Sequence, residues 1–503
     1  MIISLNELLD GVVLLPADCN PGVSGLALDS RRVLTGDLFF ARSGSHTHGS
    51  HFIDEAIARG AVAVVTEGKT IFYSRRQGVP IVSLTDLSFH LGRISACFHG
   101  NPSRSFTTII GVTGTNGKTS TTHLLAQILN RDDAPCAVIG TLGVGLHGQF
   151  TPTNHTTPDA VTLQGILADL VTRGARQLVM EVSSHALDQG RVEGIIFNVA
   201  VFTNLTRDHL DYHGNLEAYG LAKQRLFRIP GLEYAVINTD DAFGRVLLER
   251  LPPSIQAVGY GLSPSVTSCQ QYVQGKELSL LTTGLSMEVA TPWGTGMLES
   301  SLLGRFNALN LLAALATLGV LGMPLDEALL ALSVVRTVAG RMERLGGGPT
   351  MPLVVVDYAH TPDALEQVLL TLREHTAVDC RLWCVFGCGG ERDPGKRPLM
   401  GAVTERIADK VIVTNDNPRG DSQDDIFRTI LNGMNDPNQA IVIPDRRLAI
   451  QHAVEYARPG DVVLVAGKGH EGYQQIGTDL LPFSDHFEVQ QALNFHRRKS
   501  SHG

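Results

Sequence analysis

The segment GVTGTNGKTS, residues 111–120, limits the fold of this chain more than any other stretch. It follows the apolar run TTII and precedes TTHLLAQILN, so the pattern predicts a strand, a glycine-rich turn and the start of a helix. That arrangement directs backbone N–H groups and the positive end of a helix dipole at one anion. We therefore predict a phosphate-binding loop in which Lys118 binds the β- and γ-phosphates of a nucleotide and the Thr119 hydroxyl coordinates Mg²⁺.

The glycine spacing in this segment departs from the usual phosphate loop. A Gly-x-x-x-x-Gly-Lys pattern requires glycine at position 112, which is valine here, and the glycines stand at 111, 114 and 117. The alternative is an ordinary glycine-rich turn capped by threonines. The order strand, GKT, helix favours phosphate binding. The candidate nucleotide-binding residues of the loop are Gly114, Thr115, Asn116, Gly117, Lys118, Thr119 and Ser120.

Strand-like and helix-like segments alternate along most of the chain, which predicts an α/β fold with mostly parallel sheets. A length of 503 residues suggests about three domains. We predict an N-terminal domain over residues 1–100, a central P-loop-type ATP-binding domain over 101–340 and a C-terminal Rossmann-like domain over 341–503. The polar tail FHRRKSSHG is expected to be frayed.

Charge and hydropathy exclude several classes of partner. The 41 basic and 50 acidic residues give a net charge of −9, so nothing attracts the chain as a whole to nucleic acid or to an anionic membrane. The N-terminus lacks the pattern of a signal peptide, and the longest apolar stretch, from Leu311, is shorter than the ~20 residues of a membrane span. Seven scattered cysteines favour a reducing compartment. We expect a cytoplasmic protein.

Ionisable residues follow several of the predicted strands. Glu181 ends the strand in VMEVSSHALDQGR, and FTNLTRDHLDYHG places Asp208 and His209 after the next strand. Each feature alone has an ordinary explanation, because a strand-end glutamate is often solvated and a histidine-rich loop often caps a helix. Their position at the carboxyl edge of the sheet that holds the phosphate loop favours a Mg²⁺ and nucleotide site.

The last part of the chain places charged residues after strands in the same way. Arg392 and Arg419 follow two strands, and guanidinium groups bind carboxylates in a bidentate manner. Glu471, in AGKGHEG, suits an ammonium group. Single surface arginines are common, but this combination indicates an amino acid that bears an additional carboxylate.

The ordered segments TGTNGKTS, EVSSHALDQGR, FTNLTRDHLDYHG, GRFN, GRME, DYAHTPDAL, FGCGGERD, DNPR and GKGHE closely resemble the Mur ligases over nearly the whole chain. Within that family they resemble members that add meso-diaminopimelate to UDP-N-acetylmuramoyl-L-alanyl-D-glutamate. The resemblance implies a UDP-binding, an ATP-binding and an amino-acid-binding domain. It also implies a cytoplasmic, monomeric ligase of peptidoglycan precursor synthesis, with ATP as co-substrate and small molecules as its only partners.

The resemblance implies roles for individual residues. Catalysis is expected of Lys118, Lys223, His209 and His360. The expected Mg²⁺ ligands are Thr119, Glu181, His209 and Lys223, the last as a carbamate formed with CO₂, although an unmodified helix lysine is the ordinary alternative. Further ATP contacts are expected of Asn307, Arg341 and Asp357. The residues that match muramoyl-peptide contacts are Ser30, Thr156, Thr157, Ser183, Gln189 and Arg191. Those that match diaminopimelate contacts are Arg392, Asp416, Asn417, Arg419, Gly467 and Glu471.

One segment departs from the family's pattern. The uridine loop usually reads Gly-His-x-x-Asp-Gly, whereas residues 44–49 read GSHTHG, with Ser45 in place of the common histidine and His48 in place of the aspartate. The resemblance therefore predicts a uracil pocket with a contact from Ser30, and it leaves the contacts of residues 45–47 open.

Four other functions compete with this hypothesis. An L-lysine-adding ligase of the same fold would have no use for Arg419, whose contact with a carboxylate is worth roughly 1.5–3 kcal/mol, or about one to two decades of preference. A transporter subunit or nucleotide-driven switch would hydrolyse ATP without an amino-acid acceptor. The DNPR segment and the N-terminal α/β unit argue against a folate-type polyglutamate ligase. An adenylating ligase would release AMP, whereas we expect an acyl phosphate, ADP and phosphate.

Overall fold

The structure is a computed structural model, and it describes residues 2–43, 47–153, 155–264, 269 and 271–500. The chain forms two compact units, Met1–Tyr272 with Ala316–Leu321 and Val273–Leu315 with Gly322–Gly503. The helices are α1 Leu5–Leu8, α2 Ile53–Ala58, α3 Leu87–Phe98, α4 Lys118–Leu129, α5 Ala160–Thr172, α6 Ser184–Asp188, α7 Leu210–His213, α8 Leu216–Gln224, α9 Ala242–Glu249, α10 Arg305–Val320, α11 Leu325–Val334, α12 Pro362–His375, α13 Lys396–Ile407, α14 Gln423–Leu431, α15 Arg446–Tyr456 and α16 Asp485–Ser500.

The strands follow the predicted alternation with these helices. They are β1 Ile3–Ser4, β2 Gly22–Val23, β3 Gly25–Ala27, β4 Asp37–Ala41, β5 Ala63–Glu67, β6 Phe72–Arg76, β7 Val79–Leu84, β8 Thr108–Thr113, β9 Cys136–Gly140, β10 Gly143–Leu146, β11 Gln149–Thr151, β12 Gln177–Glu181, β13 Val199–Phe202, β14 Tyr234–Asn238, β15 Gln256–Gly261, β16 Gln271–Leu281, β17 Gly284–Thr291, β18 Gly294–Ser300, β19 Glu343–Gly346, β20 Leu353–Asp357, β21 Leu382–Phe386, β22 Lys410–Val413, β23 Ala440–Val442, β24 Val462–Ala466, β25 Tyr473–Ile476 and β26 Asp479–Pro482.

The first unit contains two larger sheets. The N-terminal sheet has the order β3-β4-β5-β7-β6 and is parallel except for β6. The second sheet has the order β11-β10-β9-β12-β8-β13-β14-β15, in which β9, β12, β8, β13, β14 and β15 run parallel. Since β8 lies between β12 and β13, the segments that follow these three strands meet at one edge of the sheet.

The second unit has a sheet of the order β19-β20-β24-β21-β22-β23, parallel except for the edge strand β19. Its central strands are continuous apolar runs, such as VVLVA in β24, and are buried on both faces by helices. The carboxyl ends of β20, β24, β21 and β22 therefore lie side by side. The same unit contains the antiparallel strands β16, β17 and β18 and a separate hairpin, β25 with β26.

The α/β class with mostly parallel sheets is confirmed. The division into domains 1–100, 101–340 and 341–503 stays a prediction, because the two compact units do not correspond one to one with three domains. None of the helices in the described residues is long and apolar enough to cross a membrane.

The expectation of a frayed tail is wrong for residues 495–500, which belong to α16. That helix is anchored because Val489, Ala492 and Leu493 pack into the core of the second unit. The polar end of the tail continues a helix that is already held by these contacts. Residues 501–503 lie outside the described residues.

Candidate functional site

The glycine-rich loop joins β8 to α4 as predicted. Gly114 has a φ of +148°, and a Cβ there would lie 1.9 Å from Oγ1 of Thr203, so only glycine fits. Gly117 has a φ of +83° and precedes the first residue of α4, Lys118. Asn116 N donates to Asn204 Oδ1 at 2.9 Å, so the segment after β13 braces the loop. The loop and the start of α4 are thus held in a conformation that exposes the first N–H groups of the helix to an anion.

Lys118 folds back over the loop from the first turn of α4. Its Nζ donates to the carbonyl oxygens of Gly114, at 2.9 Å, and Thr115, at 2.8 Å. Burial lowers the pKa of Lys118, while the carboxylates of Glu181 and Asp208 act in the opposite direction. Two backbone carbonyls of the loop therefore hold the ammonium group at the start of α4.

Thr119 and Glu181 form the second element of this edge. The Thr119 hydroxyl donates to Glu181 Oε2 at 3.0 Å, and Thr141 N donates to Glu181 Oε1 at 2.8 Å. Glu181 is fully buried at the end of β12, and burial raises its pKa despite these hydrogen bonds and the charge of Lys118. A buried carboxylate and a hydroxyl that converge are oxygen donors of the type Mg²⁺ prefers, so these residues fit that ion.

Lys223 reaches the same loop from α8. It is 1% exposed, its Nζ donates to Gly114 O at 2.7 Å, and it lies 4.3 Å from the centre of the Tyr219 ring. Burial, together with the charge of Lys118, lowers the pKa of Lys223 to about 6. The amine is therefore mostly uncharged at neutral pH, and an uncharged amine is the form that reacts with CO₂.

His209 lies in the segment after β13, with a left-handed backbone conformation at φ +51°. Its side chain is half exposed, with Nε2 3.4 Å from Asp208 Oδ2 and its ring 4.8 Å from that of His185. In the part of the chain that is described, no three His, Cys, Asp or Glu side chains are placed to hold a metal ion. The predicted Mg²⁺ ligands are Thr119, Glu181, His209 and modified Lys223. Only Glu181 and His209 are of these four residue types, so the absence of such a group does not test the set, which stays a prediction.

Most of the residues expected to bind the muramoyl peptide are connected to one another. Arg191 donates to Thr157 O at 2.8 Å and, through Nε and Nη2, to Gln189 Oε1 at 3.1 and 2.8 Å. The Thr157 hydroxyl donates to Glu181 O at 2.9 Å and accepts from Ser183 N at 3.2 Å. These contacts connect the candidate peptide site directly to the strand end that holds Glu181.

Two further residues complete this description of the first unit. The Thr156 hydroxyl lies 3.1 Å from that of Thr141, the residue that also donates to Glu181. Ser30 lies after β3 in the N-terminal sheet, where its hydroxyl donates to Glu55 Oε2 at 2.7 Å. Of the uridine-loop residues 45–47, Ser45 and His46 lie outside the described residues.

In the second unit, Asp357 ends β20 and organises the next turn. Its carboxylate accepts from Met342 N and Ala359 N, both at 2.8 Å, and burial raises its pKa. The guanidinium of Arg341 lies 5.0 Å from the centre of the Tyr358 ring. His360 is exposed, with Nδ1 2.8 Å from Tyr358 O.

Asn307 lies in α10, and its side chain is held by Asn310 of that helix and by Leu303, which precedes the helix. Its Nδ2 donates to Leu303 O at 2.8 Å, and its Oδ1 accepts from Asn310 at 3.1 Å. Because Nδ2 can donate two hydrogen bonds and Oδ1 can accept two, contact with adenine does not require either of these bonds to open.

The candidate acceptor site lies at the ends of β22 and β24. Lys468 is fully buried, and its Nζ donates to Asn417 Oδ1 and Glu471 Oε2, both at 3.0 Å. Asn417 Nδ2 also donates to Glu471 Oε2 at 3.0 Å. Gly467 has a φ of +121°, and a Cβ there would lie 2.5 Å from Asp416 Oδ2, so glycine leaves room for the aspartate. Burial raises the pKa of Asp416.

Arg419 lies on the segment after β22 that also carries Asp416 and Asn417. Its Nη1 donates to Gly390 O at 2.9 Å and its Nε to Gln475 Oε1 at 3.2 Å. A Cβ on Gly389 would lie 3.0 Å from Arg419 Nη1 and 3.6 Å from Arg392 Cγ, so both predicted arginines flank the same glycine. The same Cβ would lie 3.8 Å from Asn417 O, so the exposed Arg392 and the half-buried Arg419 lie close to the segment that carries Asp416 and Asn417.

Four residues in these sites escaped the sequence-based prediction of site residues: Thr141, Tyr219, Lys468 and Gln475. Tyr219 precedes Lys223 by four residues in α8, and that spacing places two side chains on one face of a helix. Lys468 belongs to the same GKGHE segment as Glu471. No sequence signal identified Thr141 or Gln475, because each acts on a residue distant in the chain.

Three protein-family models match the chain. They describe the Mur ligase family catalytic domain over residues 22–96, the Mur ligase middle domain over 112–318 and the Mur ligase glutamate ligase domain over 340–469.

Curated relatives match over nearly the full length. A Chromobacterium violaceum protein named UDP-N-acetylmuramoyl-L-alanyl-D-glutamate--2,6-diaminopimelate ligase is 50% identical over 467 residues, which covers 92% of this chain and 93% of the relative. A Pseudomonas aeruginosa protein of the same name is 47% identical over 493 residues, 98% of both chains. A solved structure of a ligase of that name is 37% identical, with a TM-score of 0.79 over 99% of this chain and 100% of the other.

Proposed function

This chain belongs to the Mur ligase family, and we propose that it joins meso-diaminopimelate to UDP-N-acetylmuramoyl-L-alanyl-D-glutamate with ATP, in peptidoglycan precursor synthesis. The assignment of the acceptor depends on one observation: Arg419 lies on the same segment after β22 as Asp416 and Asn417, and Asn417 is hydrogen-bonded to Glu471. A guanidinium suits the additional carboxylate of the acceptor, and the carboxylates suit its ammonium groups.

In the first step, the free carboxylate of the muramoyl peptide attacks the γ-phosphorus of ATP. The bond from the γ-phosphorus to the bridging oxygen breaks, ADP leaves, and an acyl phosphate forms. Lys118 and the N–H groups at the start of α4 balance the charge of the phosphates, and Arg191 and Thr157 hold the peptide near Glu181. Asn307, Arg341 and Asp357 contribute to nucleotide binding.

Two further features of the site at which the carboxylate is phosphorylated, a Mg²⁺ ion and a modified lysine, belong to this proposal. Thr119, Glu181, His209 and Lys223 would hold Mg²⁺, which when bound neutralises part of the charge that builds up between two anions. To bind Mg²⁺, the Lys223 amine first adds to CO₂, loses a proton and becomes an anionic carbamate. The burial of Lys223, and a pKa low enough to leave its amine uncharged, support that modification.

In the second step, an uncharged amine of diaminopimelate attacks the carbonyl carbon of the acyl phosphate. The tetrahedral intermediate collapses, phosphate leaves with its bonding electron pair, and the nitrogen loses a proton as the amide forms. We propose that Arg392 and Arg419 hold the distal carboxylate and that Asp416, Asn417, Gly467 and Glu471 orient the amino acid. His360, exposed at the end of β20, would assist catalysis.

The proposal extends to organisation and location. The three family matches, over residues 22–96, 112–318 and 340–469, support domains at 1–100, 101–340 and 341–503. We place the protein in the cytoplasm, because its proposed substrates are nucleotides and a free amino acid. We also propose that it is a monomer, as the resemblance to the family implies.

One experiment tests the function directly. Purified protein is incubated with ATP, Mg²⁺, the UDP-muramoyl-dipeptide and either meso-diaminopimelate, L-lysine or L-ornithine, and the product mass and the released nucleotide are measured. We expect a diaminopimelate adduct and ADP. Formation of AMP, or ATP hydrolysis that needs no amino acid, would contradict the proposal.

A matched pair of variants then tests the acceptor site. Arg419→Ala should reduce the preference for diaminopimelate over lysine in kcat/KM by about ten- to a hundredfold, because one charged hydrogen-bond contact is lost. Arg428→Ala removes an exposed arginine from α14 and serves as the control. An unchanged preference in Arg419→Ala would refute the assignment.

A further inference from the structure

Arg419 is held by a part of the chain that the predicted acceptor residues do not include. Its guanidinium Nε donates to Gln475 Oε1 at 3.2 Å, and its backbone N donates to Gln475 O at 3.2 Å. Gln475 belongs to β25, the first strand of the hairpin that β25 forms with β26. The carbonyl of Arg419 also accepts from Gly477 N at 2.8 Å, so the hairpin is bonded to Arg419 on both sides of Ile476.

The same glutamine contacts a second candidate acceptor residue. Its backbone N donates to Asn417 Oδ1 at 2.9 Å, and its neighbour Gln474 donates through Nε2 to Asp416 O at 2.8 Å. The hairpin is therefore attached to the backbone or side chain of Asp416, Asn417 and Arg419. It forms a wall of the candidate acceptor site and not an independent surface element.

The amide of Gln475 has only one suitable orientation. Its Nε2 donates to Gly477 O at 3.3 Å, which directs Oε1 toward Arg419. Arg419 has a φ of +50°, an uncommon conformation for a residue with a side chain, so its backbone also depends on these contacts. In the described part of the chain, Gln475 Oε1 and Gly390 O engage two of the five guanidinium N–H donors and leave the others for a ligand.

We propose that Gln475 is a positioning residue for acceptor specificity, because it is a neutral hydrogen-bond acceptor that orients Arg419 without neutralising its charge. The inference rests on the proposed function, in which Arg419 binds the distal carboxylate of diaminopimelate. A carboxylate at position 475 would form a charge-assisted pair with the guanidinium and compete with that ligand. A glutamine fixes the direction of Arg419 and leaves its full charge for the ligand.

The test compares three variants of the full-length protein. Gln475→Glu is expected to raise the KM for meso-diaminopimelate by at least about tenfold and to lower the preference for diaminopimelate over lysine by a similar factor. Gln475→Met keeps the size of the side chain but removes the acceptor, and it should raise that KM by about threefold. In both variants the KM values for ATP and for the UDP-dipeptide stay within about twofold of wild type, and kcat changes less than KM.

The control is Thr478→Glu, which adds the same charge to the exposed turn of the hairpin. It should leave the constants for diaminopimelate unchanged. An equal effect of Thr478→Glu, or wild-type preference in Gln475→Glu, would overturn the inference. If the thermal transition shows that Gln475→Glu is unfolded, Gln475→Met is the deciding variant. A wild-type KM for meso-diaminopimelate in Gln475→Met then overturns the inference. A wild-type protein that does not ligate diaminopimelate overturns the proposed function instead, so the two failures are distinguishable.

Discussion

A buried ion pair connects the acceptor site to the core of the second unit, and its removal gives a sharp prediction. Arg446, the first residue of α15, donates from Nε and Nη2 to the two carboxylate oxygens of Asp485, both at 2.7 Å, and both side chains are 0% exposed. Its guanidinium also donates to Ala466 O at 2.9 Å and to Asn415 O at 3.4 Å. These carbonyls immediately precede Gly467 and Asp416.

The size of the effect follows from this geometry. Replacement of Arg446 by methionine leaves the Asp485 carboxylate buried without a counter-charge, which costs about 3–5 kcal/mol. For a unit of this size we expect the melting transition to fall by about 10 °C. Replacement of both residues, Arg446→Met with Asp485→Leu, removes the isolated charge, so we expect the double variant to regain at least about 2 kcal/mol relative to the sum of the single effects.

The assay uses one of the two tryptophans of the chain. Trp383 lies in β21 and packs in a core that also contains residues of α15 and α16, the helices that carry Arg446 and Asp485, so in a Trp293→Phe background its fluorescence reports unfolding of this sheet. Urea unfolding of the single and double variants gives the coupling energy, and steady-state kinetics gives the KM for diaminopimelate, which should rise more than that for ATP. Additive single effects, with a coupling below about 0.5 kcal/mol, would refute the reasoning.

Three further predictions concern the first unit. Gly114→Ala should abolish ligation without loss of the fold, since its Cβ would lie 1.9 Å from Thr203 Oγ1; wild-type activity would show that the loop adapts. Lys223→Ala should inactivate the protein irrespective of CO₂, whereas CO₂-depleted wild type should recover with bicarbonate; full activity of the variant would exclude the carbamate. Burial lowers the pKa of His123 to about 4, so between pH ~6.5 and 4 the unfolded chain binds a proton that the folded chain does not. Stability should therefore fall with falling pH, by up to about 3 kcal/mol at pH 4, and His123→Leu should flatten that dependence in urea titrations.

Several features of the sites were predictable from local sequence. Glycine at positions 114 and 117, directly after an apolar strand and before a helix, indicated the turn and its positive φ angles. The position of Glu181 at the end of an apolar run indicated a strand end, and the sheet order confirms that this strand lies beside β8. Such features follow from patterns of a few neighbouring residues, which determine strands, turns and helix starts.

Other features depend on contacts between distant segments. The charge state of Lys223 follows from its burial against Gly114 O, 109 residues away in the chain, and the direction of Arg419 follows from Gln475. The prediction of a frayed tail failed for the same reason, because local polarity does not reveal that Val489, Ala492 and Leu493 anchor α16. Long-range packing is not encoded in any single window of sequence.

The sequence by itself determined the alternation of strands and helices, the phosphate loop and the family, since each depends on residue types at short, ordered spacings. Only the tertiary structure decided which side chains lose water and which partners they meet. Burial raises the pKa of Asp416 and lowers that of Lys223, and hydrogen bonding orients Arg419; both arise only when segments far apart in the chain pack together.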